Sequence, residues 1–535
     1  MNGLATTSGD RPDASLDDEV VVARRDIVGD VVTDFAAAVC DWPKHPAVVH
    51  NDTTVTYREL AARVRDTALR YRACGVVPRR GDEPSVRIGT LVTHTPGVAE
   101  HLLGVLAAGG AYCPIDAALP GSRQRELIEV MGLSGVLGAP DTDPQGSGPS
   151  GSETRGDHAR SVDIPLPLWS ASDPAYVLCT SGSTGAPKPV VVSRRALAIT
   201  VSALRRIFAL TPADRVLQFA SLGWDTCLEE MLPALSAGAT VVFDDAAHSR
   251  SFRQFVRMLA RQEVTVLDLP TAFWHELVLY LHEEQANLPE SVRLVVIGGE
   301  RIDPTRLQQW RDLDLGQVML LNTYGCTETT MVTHAVRLSG PGTERCVAMA
   351  DADAPLGRAL PHVREHVSDE GELLVAGPGL ADGYLDAPGP TAAAFPVIDH
   401  GTGPTRWFRT GDLVDRGEHG LLYSRGRTDE QVKVRGVRVH PAEVEAQLCT
   451  HPAVGGAVVI GERLLGRTVL AAYVVPVGTT TAAELKHHLT HRLPGQFVPS
   501  KVTFVRALSY TASGKVDRSA TQRAAVTKDS KGARR

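Results

Sequence analysis

Segments with helical and strand-like spacing alternate along the first part of the chain. Apolar residues recur at helical spacing over residues 57–71 and 97–108, and a short apolar run predicts a strand at 88–92. A second alternating region covers residues 176–336. Its predicted strands are 239–243, 264–269, 294–297 and 318–322. Strands that alternate with helices predict parallel sheets built from βαβ units.

The pattern changes after residue 342, where the strands become short and are separated by glycines, as at 371–376 and 420–423. This arrangement predicts a barrel-like third lobe. From residue 429 a compact run of strand, helix, strand and helix continues to 518. We therefore predict an α/β fold: a large N-terminal domain over 31–428, with two βαβ-type sheets plus the barrel-like lobe, and a small α+β C-terminal domain over 429–518.

Three segments are too polar to be assigned to a packed domain. Residues 1–30 are predicted to form a disordered leader. Residues 141–160, which are rich in Gly, Ser, Pro and Asp, are predicted to form a disordered surface insertion, and residues 519–535 a flexible basic tail.

Composition and charge exclude several classes of function. The chain has 535 residues, too many for one core, and a formal net charge of −7, which argues against a nucleic-acid-binding surface. Its eight cysteines include no CxxC pair and are typical of reduced thiols. No apolar run approaches the ~20 residues of a membrane span, and the N-terminus lacks a signal-peptide core. We therefore predict a cytoplasmic protein that binds neither nucleic acid nor membranes.

The most informative motif follows a predicted strand, where residues 176–188 read YVLCTSGSTGAPK. Gly182 and Gly185 allow positive φ angles that turn backbone N–H groups inward, while the hydroxyl groups and Lys188 add donors and a positive charge. These properties suit phosphate binding, although such a loop alone is also typical of a surface turn.

Four further motifs follow this loop in order: NTYGCTE at 322–328, WFRTGDL at 407–413, GRTDEQVKVRG at 426–436 and SGKVDR at 513–518. The ordered set resembles the adenylate-forming enzymes, the superfamily of acyl-CoA synthetases, luciferases and nonribosomal peptide synthetase adenylation domains. VTYREL at 55–60 and LAAGGAYCPID at 106–116 are similar to the first two core motifs of the amino-acid-activating branch. The resemblance covers nearly the whole chain.

The resemblance implies that a carboxylate attacks the α-phosphate of ATP, pyrophosphate leaves, and the acyl group then forms a thioester. Such chemistry depends on positioning and electrostatics, so it needs Mg²⁺, a phosphate cradle and a positive charge at the reacting centre. By resemblance, Lys515 supplies that charge, Thr180 contributes to catalysis from the cradle, and Glu328 binds Mg²⁺. Because one small domain serves both half-reactions, we expect it to be mobile about the hinge residue Asp429.

The other ATP contacts are also implied by the resemblance. Tyr324 corresponds to the ring that stacks on adenine, Asp412 to the acceptor of both ribose hydroxyls, and Arg427 to an ATP-contacting arginine. Taken alone, Tyr324 is equally typical of a core tyrosine, and Asp412 of a turn aspartate. The full set of predicted ATP-binding positions is Thr180, Ser181, Gly182, Ser183, Thr184, Gly185, Lys188, Gly299, Glu300, Asn322, Tyr324, Gly325, Thr327, Asp412 and Arg427.

The segment FASLGWDTCLEE, residues 219–230, resembles the specificity region of peptide synthetase adenylation domains. It places Asp225 where that branch pairs with the substrate amine, which favours an amino acid over a fatty or aryl acid. The predicted substrate-binding positions are Asp225, Thr226, Glu229, Asp268, Val296, Gly298, Thr323, Met331, Val332 and Lys515.

Two acids in this set, Glu229 and Asp268, are unexpected. Burying unpaired carboxylates is costly, so both should meet a cation. We therefore predict a diamino acid whose distal ammonium lies near Glu229 and Asp268. The set resembles pockets assigned to β-lysine, as in streptothricin-type antibiotic assembly, while lysine, ornithine and arginine pockets are also acid-bearing. Alternatively, Asp268 points away from the pocket and the substrate is neutral and polar.

The sequence shows neither an LGGxS carrier segment nor an HHxxxDG condensation motif. We therefore expect a free-standing enzyme that loads a carrier protein in trans, through its phosphopantetheine arm. Two other hypotheses stay open. An acyl- or aryl-CoA synthetase is disfavoured by Asp225, and a noncatalytic ATP-binding protein is disfavoured by the full set of motif residues.

Overall fold

The structure is a computed structural model. It describes residues 29–76, 86–138, 164, 169–182, 185–313, 315–348, 354–401, 403–464, 467–509 and 516–532. The predicted insertion at 141–160, almost all of the predicted leader, and the site candidates Ser183, Thr184 and Lys515 lie outside the described residues.

The predicted helices at 57–71 and 97–108 are confirmed. In the described ranges the helices are α1 (Val31–Asp41), α2 (Tyr57–Ala73), α3 (Gly97–Ala108), α4 (Gly121–Val130), α5 (Arg194–Ile207), α6 (Thr226–Ser236), α7 (Phe252–Arg261), α8 (Thr271–Glu283), α9 (Pro304–Asp312), α10 (Arg345–Ala348), α11 (Pro388–Ala394), α12 (Pro441–Cys449), α13 (Ala482–Thr490) and α14 (Arg518–Gly532). The VTYREL motif forms the start of α2, where the Thr56 hydroxyl and the Glu59 carboxylate each accept the backbone N–H of the other residue.

The predicted strands correspond to observed strands with boundaries shifted by up to two residues, except for the strand predicted at 420–423, which is observed at Leu422–Arg427. In the described ranges the strands are β1 (Pro46–His50), β2 (Thr53–Thr56), β3 (Arg87–Val92), β4 (Ala111–Asp116), β5 (Val136–Gly138), β6 (Pro174–Thr180), β7 (Lys188–Ser193), β8 (Arg215–Leu217), β9 (Thr240–Phe243), β10 (Val266–Pro270), β11 (Leu294–Gly298), β12 (Met319–Tyr324), β13 (His334–Ser339), β14 (Arg358–Ala359), β15 (Arg364–Val367), β16 (Glu372–Ala376), β17 (Gly383–Tyr384), β18 (Val397–Ile398), β19 (Thr405–Arg416), β20 (Leu422–Arg427), β21 (Val432–Val434), β22 (Val437–Val439), β23 (Val454–Leu464), β24 (Arg467–Pro476) and β25 (Lys501–Phe504).

Two mixed sheets form the centre of the large domain. Within the described residues one has nine strands, in the order β14-β13-β12-β11-β10-β8-β9-β1-β2, and its six central strands are parallel. The other has six strands, in the order β17-β7-β6-β4-β3-β5, with β5, β3, β4 and β6 parallel. The predicted α/β class with parallel sheets is therefore confirmed.

Two helices are buried along nearly their whole length in the apolar cluster that joins the sheets. Every residue of α3 is buried, and so is α6 from Cys227 to Ser236. Gly104 allows α3 to approach α2, because a Cβ there would lie 2.5 Å from the Thr67 methyl carbon. The buried helix α6 gives a rigid support to the acidic residues at its start.

The predicted barrel-like lobe contains a five-stranded antiparallel sheet within the described residues, in which β16, β18 and β20 all pair with the long strand β19. The strands predicted at 371–376 and 420–423 correspond to β16 and β20. This lobe matters for the site because β19 carries Asp412.

The small domain has more elements than the predicted strand, helix, strand and helix. Its order is β21, β22, α12, β23, β24, α13, β25 and α14. The hairpin β21–β22 has only three residues in each strand, too few for a clear period, and its turn residues Arg435 and Gly436 have φ angles of +52° and +79°. The predicted tail also differs, because α14 extends to Gly532; its alanines and long polar side chains favour a helix.

Among the described residues, no helix is long and apolar enough to cross a membrane. The cysteines for which the structure describes side chains are all free thiols. The boundary of the domains at 428/429 stays a prediction.

Candidate active site

A cavity of about 400 Å³ lies at the carboxyl ends of β10, β11 and β12, the usual place for a ligand in a parallel sheet. The hairpin β21–β22 of the small domain closes one side of it. The predicted site residues that line it are Thr180, Asp225, Thr226, Glu229, Asp268, Gly298, Gly299, Thr323, Gly325, Thr327, Glu328, Met331, Val332 and Asp412. Candidates for substrate and nucleotide binding therefore share one cavity.

Nine predicted binding positions among the described residues do not line this cavity: Ser181, Gly182, Gly185, Lys188, Val296, Glu300, Asn322, Tyr324 and Arg427. Val296 stands beside Asp268 in the register of β11 and β10, but its side chain packs in the apolar core. The Asn322 side chain is buried and donates to the carbonyl oxygen of Pro355 at 2.8 Å. The ligand contacts of Val296 and Asn322 stay predictions.

The floor of the cavity includes a tightly folded loop after β12. Thr330 and Met331 have φ angles of +59° and +67°, a conformation that costs a side-chain-bearing residue free energy. Gly325 has no room for a side chain, because a Cβ there would lie 1.8 Å from the carbonyl oxygen of Met331. At Gly298 a Cβ would lie 2.7 Å from the Thr323 hydroxyl oxygen, so any larger residue would narrow the cavity.

Three carboxylates, which we call the acid wall, line the cavity together: Asp225, Glu229 and Asp268. Asp225 precedes α6, Glu229 lies in its first turn, and Asp268 lies in β10. One oxygen of each, namely Asp225 Oδ2, Glu229 Oε1 and Asp268 Oδ2, is buried and has no hydrogen-bond partner in the described part of the chain. Glu229 and Asp268 lie close enough for each to shift the pKa of the other. Unpaired buried oxygens of this kind favour a cationic ligand.

Burial dominates the ionisation of the acid wall. It raises the pKa of Asp225 to about 6, against a hydrogen bond from the Thr327 side chain that lowers it. It also raises the pKa of Asp268 to about 7. Burial and then the neighbouring Asp268 raise the pKa of Glu229 well above its usual range. Without a counter-charge, these surroundings favour the neutral forms.

Glu230, the next residue on α6, is a buried acid with a different environment. It accepts hydrogen bonds from the backbone N–H groups of Phe219 at 3.0 Å and Ala220 at 2.9 Å, and from Gln218 Nε2 at 3.1 Å. These bonds attach the segment after β8 to the helix. Glu230 is therefore a structural acid, while Glu229 lines the cavity.

Asp412, on β19, is paired. The Tyr324 hydroxyl donates to Asp412 Oδ2 at 2.7 Å, and Arg427 Nη1 donates to Oδ1 at 2.5 Å. The ammonium of Lys433 lies 5.4 Å from the ring centroid of Tyr324. Burial raises the pKa of Asp412, but Lys433 and Arg427 outweigh burial and hold the value below its usual range. Asp412 is therefore an ionised and satisfied acid.

Glu328 lies in the 3₁₀ turn Thr327–Thr329 that follows β12. The Tyr384 hydroxyl donates to its Oε1 at 3.1 Å, and Arg438 Nη1 lies 3.4 Å from its Oε2. Mg²⁺ commonly takes one or two carboxylates and completes its shell with water and phosphate oxygens, so this carboxylate fits the predicted role. Among the described residues, no group of three His, Cys, Asp or Glu side chains forms a metal site without further ligands.

The predicted phosphate-binding loop begins where β6 ends. A Cβ at Gly182 would lie 2.0 Å from the carbonyl oxygen of Ala186, and Gly185 has a φ of +86°. The first position therefore requires glycine for space and the second for conformation. Lys188, at the start of β7, places its ammonium 5.7 Å from the ring centroid of Tyr384.

The same loop contacts the small domain. The Ser181 hydroxyl donates to the carbonyl oxygen of Arg438 at 2.8 Å and accepts the backbone N–H of His440 at 3.1 Å. A Cβ at Gly185 would lie 3.0 Å from the Cβ of Ala446 on α12. In this orientation the small domain covers the predicted phosphate-binding loop.

Gly299 and Glu300, which follow β11, also meet the hairpin. Glu300 Oε1 accepts the backbone N–H of Gly436 at 2.7 Å. A Cβ at Gly299 would lie 3.1 Å from the Cα of Gly436. Burial raises the pKa of Glu300, and the hydrogen bond from Gly436 lowers it. The hairpin thus contacts two residues that are predicted to bind ATP.

The hinge candidate Asp429 is linked to Asp412 through one arginine. Asp429 Oδ1 accepts from Arg427 Nε at 2.7 Å and from the backbone N–H of Gln431 at 3.2 Å. Arg427 therefore bridges the ribose-binding candidate and the hinge candidate, and a rotation at Asp429 would disturb the contact between Arg427 and Asp429.

Sequence reasoning missed several residues that line the cavity, chiefly Lys433, Arg435, Arg438, Gln496, His94 and His248. The basic residues of the hairpin could have been found from the sequence, because valine alternates with a basic residue in VKV (432–434) and VRV (437–439). Val434 and Val439 pack in the small-domain core, so Lys433 and Arg438 lie on the other face. The two histidines and Gln496 stand alone in sequence and carried no such signal.

A buried ion pair joins the two domains. Arg123 Nη2 on α4 lies 2.7 Å from Glu443 Oε1 on α12, and both side chains are buried. Arg123 Nη1 also donates to Glu126 Oε2 at 2.7 Å. Burial raises the pKa of Glu443 to about 7, against the lowering effect of Arg123. The orientation of the small domain therefore rests partly on an acid that titrates near neutral pH.

A second cavity, of about 320 Å³, lies between the domains and includes Arg123 in its wall. It shares Asp116, Ser221, Trp224 and Gln496 with the first cavity. Trp224, the residue before Asp225, also packs against the core of the small domain. The two cavities are therefore neighbours, and the small domain forms part of both.

Comparison with known proteins gives matches along most of the chain. A family profile described as "AMP-binding enzyme" matches residues 35–385, and one described as "AMP-binding enzyme C-terminal domain" matches residues 443–515. The chain is 40% identical over 486 residues to an isonitrile lipopeptide synthase of Streptomyces coeruleorubidus, which covers 89% of this chain and 32% of that protein. It is 35% identical over 504 residues to a phosphinothricin tripeptide synthetase of Streptomyces viridochromogenes, which covers 89% of this chain and 44% of that protein. The chain thus spans less than half the length of these relatives.

Solved structures share the fold. An artificially fused adenylation–PCP di-domain from Klebsiella oxytoca matches with a TM-score of 0.75 at 23% identity, over 89% of this chain and 93% of that one. The amide bond synthetase McbA from Marinactinospora thermotolerans matches with a TM-score of 0.73 at 25% identity, over 91% of this chain and 99% of that one.

Proposed function

The chain belongs to the AMP-binding enzyme family of adenylate-forming ligases, and from this membership we propose that it activates a diamino acid, with β-lysine as the first candidate, as the aminoacyl-AMP. ATP is the second substrate, pyrophosphate is released, and the aminoacyl group then passes as a thioester to a carrier protein in trans. The observation that carries the choice of substrate is the acid wall, whose three buried carboxylate oxygens lack a partner among the described residues.

The position of Asp225 supports its assignment to the amine nearest the reacting carboxylate. Burial raises the pKa of Asp225, the Thr327 hydrogen bond lowers it, and nearby Glu328 raises it further, so Asp225 is close to the nucleotide candidates. The reacting carboxylate must lie beside the α-phosphate, so the substrate amine nearest that carboxylate would pair with Asp225. Glu229 and Asp268 are left for the distal ammonium of a longer side chain.

The proposed roles at ATP follow from the same cavity. Glu328 would hold Mg²⁺, which when bound supplies positive charge to the phosphate oxygens. Asp412 would accept the ribose hydroxyls, Tyr324 would stack on the adenine, and the loop from Thr180 to Lys188 would cradle the phosphates. Lys515 would stabilise the charge that develops during adenylation.

The contacts of the small domain support a change of orientation between the half-reactions. Arg438 now pairs with Glu328, and Ser181 is bonded to the small-domain backbone, while Asp412 is paired with Arg427 of the large domain. ATP and Mg²⁺ would have to replace these partners, so we propose that adenylation takes place after the small domain has turned about Asp429.

Transfer to a carrier in trans has two supports. The second cavity between the domains adjoins the first and would give a thiol-bearing arm a route to the acyl group. A di-domain that joins an adenylation domain to a PCP shares this fold. A cytoplasmic location and a part in antibiotic assembly are proposed with the same function.

Two alternatives are kept. Lysine or ornithine would satisfy the acid wall by the same mechanism, because both carry a distal ammonium. An acyl- or aryl-CoA synthetase would share the fold and the ATP chemistry, but a substrate without an amine would leave the three orphan oxygens of the acid wall unpaired.

ATP–pyrophosphate exchange with the full chain tests the proposal. We expect exchange with β-lysine, lysine or ornithine, and much less with 3-aminohexanoate and norleucine, which lack the distal amine. Glu229→Gln and Asp268→Asn should each lower kcat/KM for the diamino acid by more than about tenfold, because a charge-assisted contact contributes roughly 1.5–3 kcal/mol. The analogues without the distal amine should show no such loss.

Asp116→Asn is the matched control, because Asp116 lines the same cavity but lies on β4 and accepts the Ser221 hydroxyl at 3.1 Å. It should leave the ratio between lysine and norleucine unchanged. If Glu229→Gln and Asp268→Asn also leave that ratio unchanged, the diamino acid proposal fails and only amino acid activation survives. Exchange with fatty or aryl acids but with no amino acid would favour the CoA synthetase.

A further inference from the structure

Glu229 and Asp268 are buried and line the same cavity, and no basic side chain of the described residues forms an ion pair with either. We propose that the two acids act as one proton-holding pair, which keeps a single proton in the empty cavity and releases it to solvent when a distal ammonium binds. The proposal rests on the proposed function for the kind of substrate, and it adds that binding of that substrate is linked to pH.

Two ionised carboxylates at this place would lack a counter-charge. Glu229 and Asp268 are both buried and line the same cavity, and two like charges there would be costly. A proton held by one acid removes one of the two charges and gives that acid an O–H group that can donate to the other. Glu229 Oε1 and Asp268 Oδ2 are buried without a partner among the described residues and would stay available as acceptors in the cavity wall.

The charged groups around the cavity do not replace this proton. Those that line the cavity or flank the pair are Asp225 and Glu230 on or beside α6, Glu328 after β12, Asp116 on β4, Asp412 on β19, His94 after β3, His248 in the 3₁₀ turn after β9, and Lys433, Arg435 and Arg438 of the hairpin. Burial, and then His94, lower the pKa of His248 to about 4, so it is neutral. Lys433 lies over Tyr324 and Arg438 lies at Glu328.

Burial explains why the proton stays. It raises the pKa of Asp268 to about 7 and that of Glu229 well above its usual range. Two such acids titrate as a unit, and the second ionisation places two negative charges together in a low-dielectric site. Near neutral pH and without ligand, the singly charged pair is therefore the favoured form.

The exchange conserves charge. Before binding, the neutral Glu229 carboxyl and the Asp268 carboxylate together carry one negative charge. When the ammonium enters, the O–H bond of Glu229 breaks, the proton passes to solvent, and two carboxylates surround one ammonium. The net charge of the site is again one negative charge, and the three N–H groups of the ammonium are now available to the carboxylate oxygens. A ligand without the distal amine cannot induce this step, because nothing would compensate the second negative charge.

The first test needs no substrate. The infrared spectrum of the full-length free protein near neutral pH should contain the carbonyl band of a buried protonated carboxylic acid. We expect Asp268→Asn and Glu229→Gln to change this band and the control Asp116→Asn to leave it in place. A free protein without the band would overturn the proposal.

The second test counts protons. Calorimetric titration with lysine or β-lysine, in buffers with different ionisation enthalpies, should show close to one more proton released than titration with norleucine or 3-aminohexanoate. The affinity for the diamino acid should rise by up to about tenfold per pH unit below the titration of the pair and then level off. Asp225 meets the amine shared by all four ligands, so its own titration cancels in the comparison.

The outcomes separate this proposal from the proposed function. Binding of diamino acids without the extra proton overturns the proton-holding pair but leaves the substrate proposal intact. A protonated pair in a protein that binds norleucine as well as lysine overturns both the exchange and the diamino acid proposal. Loss of the extra proton in Asp268→Asn, with the control unchanged, supports the assignment to this pair.

Discussion

The acid wall lines the same cavity as Asp412 and Glu328, which are proposed to bind ATP and Mg²⁺ and are called here the nucleotide-side acids. The surroundings of the two groups are opposite. Asp412 is bonded to Tyr324 and Arg427, and the cations around it hold its pKa below the usual range. In the acid wall, burial without a counter-charge raises the pKa of Asp268 to about 7. Within one cavity, the pKa of a carboxyl group is thus lowered where cations surround it and raised where burial acts without them.

The difference lies in where the cations come from. The nucleotide-side acids receive theirs from Arg427 and from the hairpin β21–β22 of the small domain. The hairpin does not pair with the acid wall, so any counter-charge there has to come from a ligand. Both groups of acids can therefore lose their counter-charges. The cations of the hairpin can leave when the small domain turns, and the counter-charge of the acid wall leaves with the ligand.

The largest effect is expected for Lys515→Ala. This variant lacks the cation that is predicted to stabilise the charge developing during adenylation. ATP–pyrophosphate exchange should fall by about 10²–10³-fold, because a group that stabilises developing charge has effects of this size. ATP binding, measured by calorimetry, should be nearly unchanged. A variant with normal exchange rates would show that Lys515 is not the adenylation lysine.

The next largest effect is expected for Asp225→Ala, which separates the two functions of the acid wall. Loss of one partner of a buried charge pair should cost about 3 kcal/mol, or about 10²-fold in kcat/KM. The loss should be the same for lysine and norleucine, since both carry the amine that Asp225 binds. A loss confined to lysine would instead place the distal ammonium at Asp225.

A smaller effect is expected for Arg438→Gln, which weakens the hold of the small domain on Glu328. Because Arg438 contacts Glu328 in the orientation described, the thioester half-reaction should slow by about tenfold and the pyrophosphate exchange by much less. The exposed Arg425, on strand β20 of the large domain, gives the control variant Arg425→Gln. Equal losses in both half-reactions would contradict a role tied to one orientation.

The smallest effect concerns the interdomain pair Arg123–Glu443. Burial raises the pKa of Glu443 from 4.5 to about 7, so the folded protein holds this proton over a range where the unfolded chain has lost it. Stability should therefore fall as pH rises from about 4.5 to about 7. Between these two pH values the melting temperature of the Glu443→Gln variant should fall by about 2 °C less than that of the unmodified protein. The other buried acids contribute equally to both proteins, so they do not affect this difference. Parallel melting curves against pH would refute this contribution.

Much of the fold followed from local patterns. Helices α2 and α3 and the strands β9 to β12 lie where apolar spacing predicted them, because each has a clear period and a buried face. The short hairpin strands and the terminal helix α14 were missed. Three-residue strands have too few positions to show a period, and a polar helix gives no apolar stripe.

Candidate site residues were predicted from sequence motifs, which are local features like the apolar patterns of the helices and strands. Asp225, Glu229 and Asp268 were named from sequence, and the structure places all three in one cavity. Val296 was named with them, but whether a strand residue reaches a cavity depends on the depth of the floor, which sequence does not give. His94 and His248 are isolated in sequence and meet only through folding, with ring centroids 4.5 Å apart.

The sequence by itself determined which acids, hydroxyls and glycines the protein has for an adenylate-forming reaction, because these stand in short ordered motifs whose chemistry is local. Only the tertiary structure decided which acids are paired. Asp412 meets Arg427 fifteen residues away in sequence and Glu328 meets Arg438 at a separation of 110, while Glu229 and Asp268 meet each other. The ionisation of a buried acid depends on burial and on charges brought from distant parts of the chain, and neither is a property of a motif.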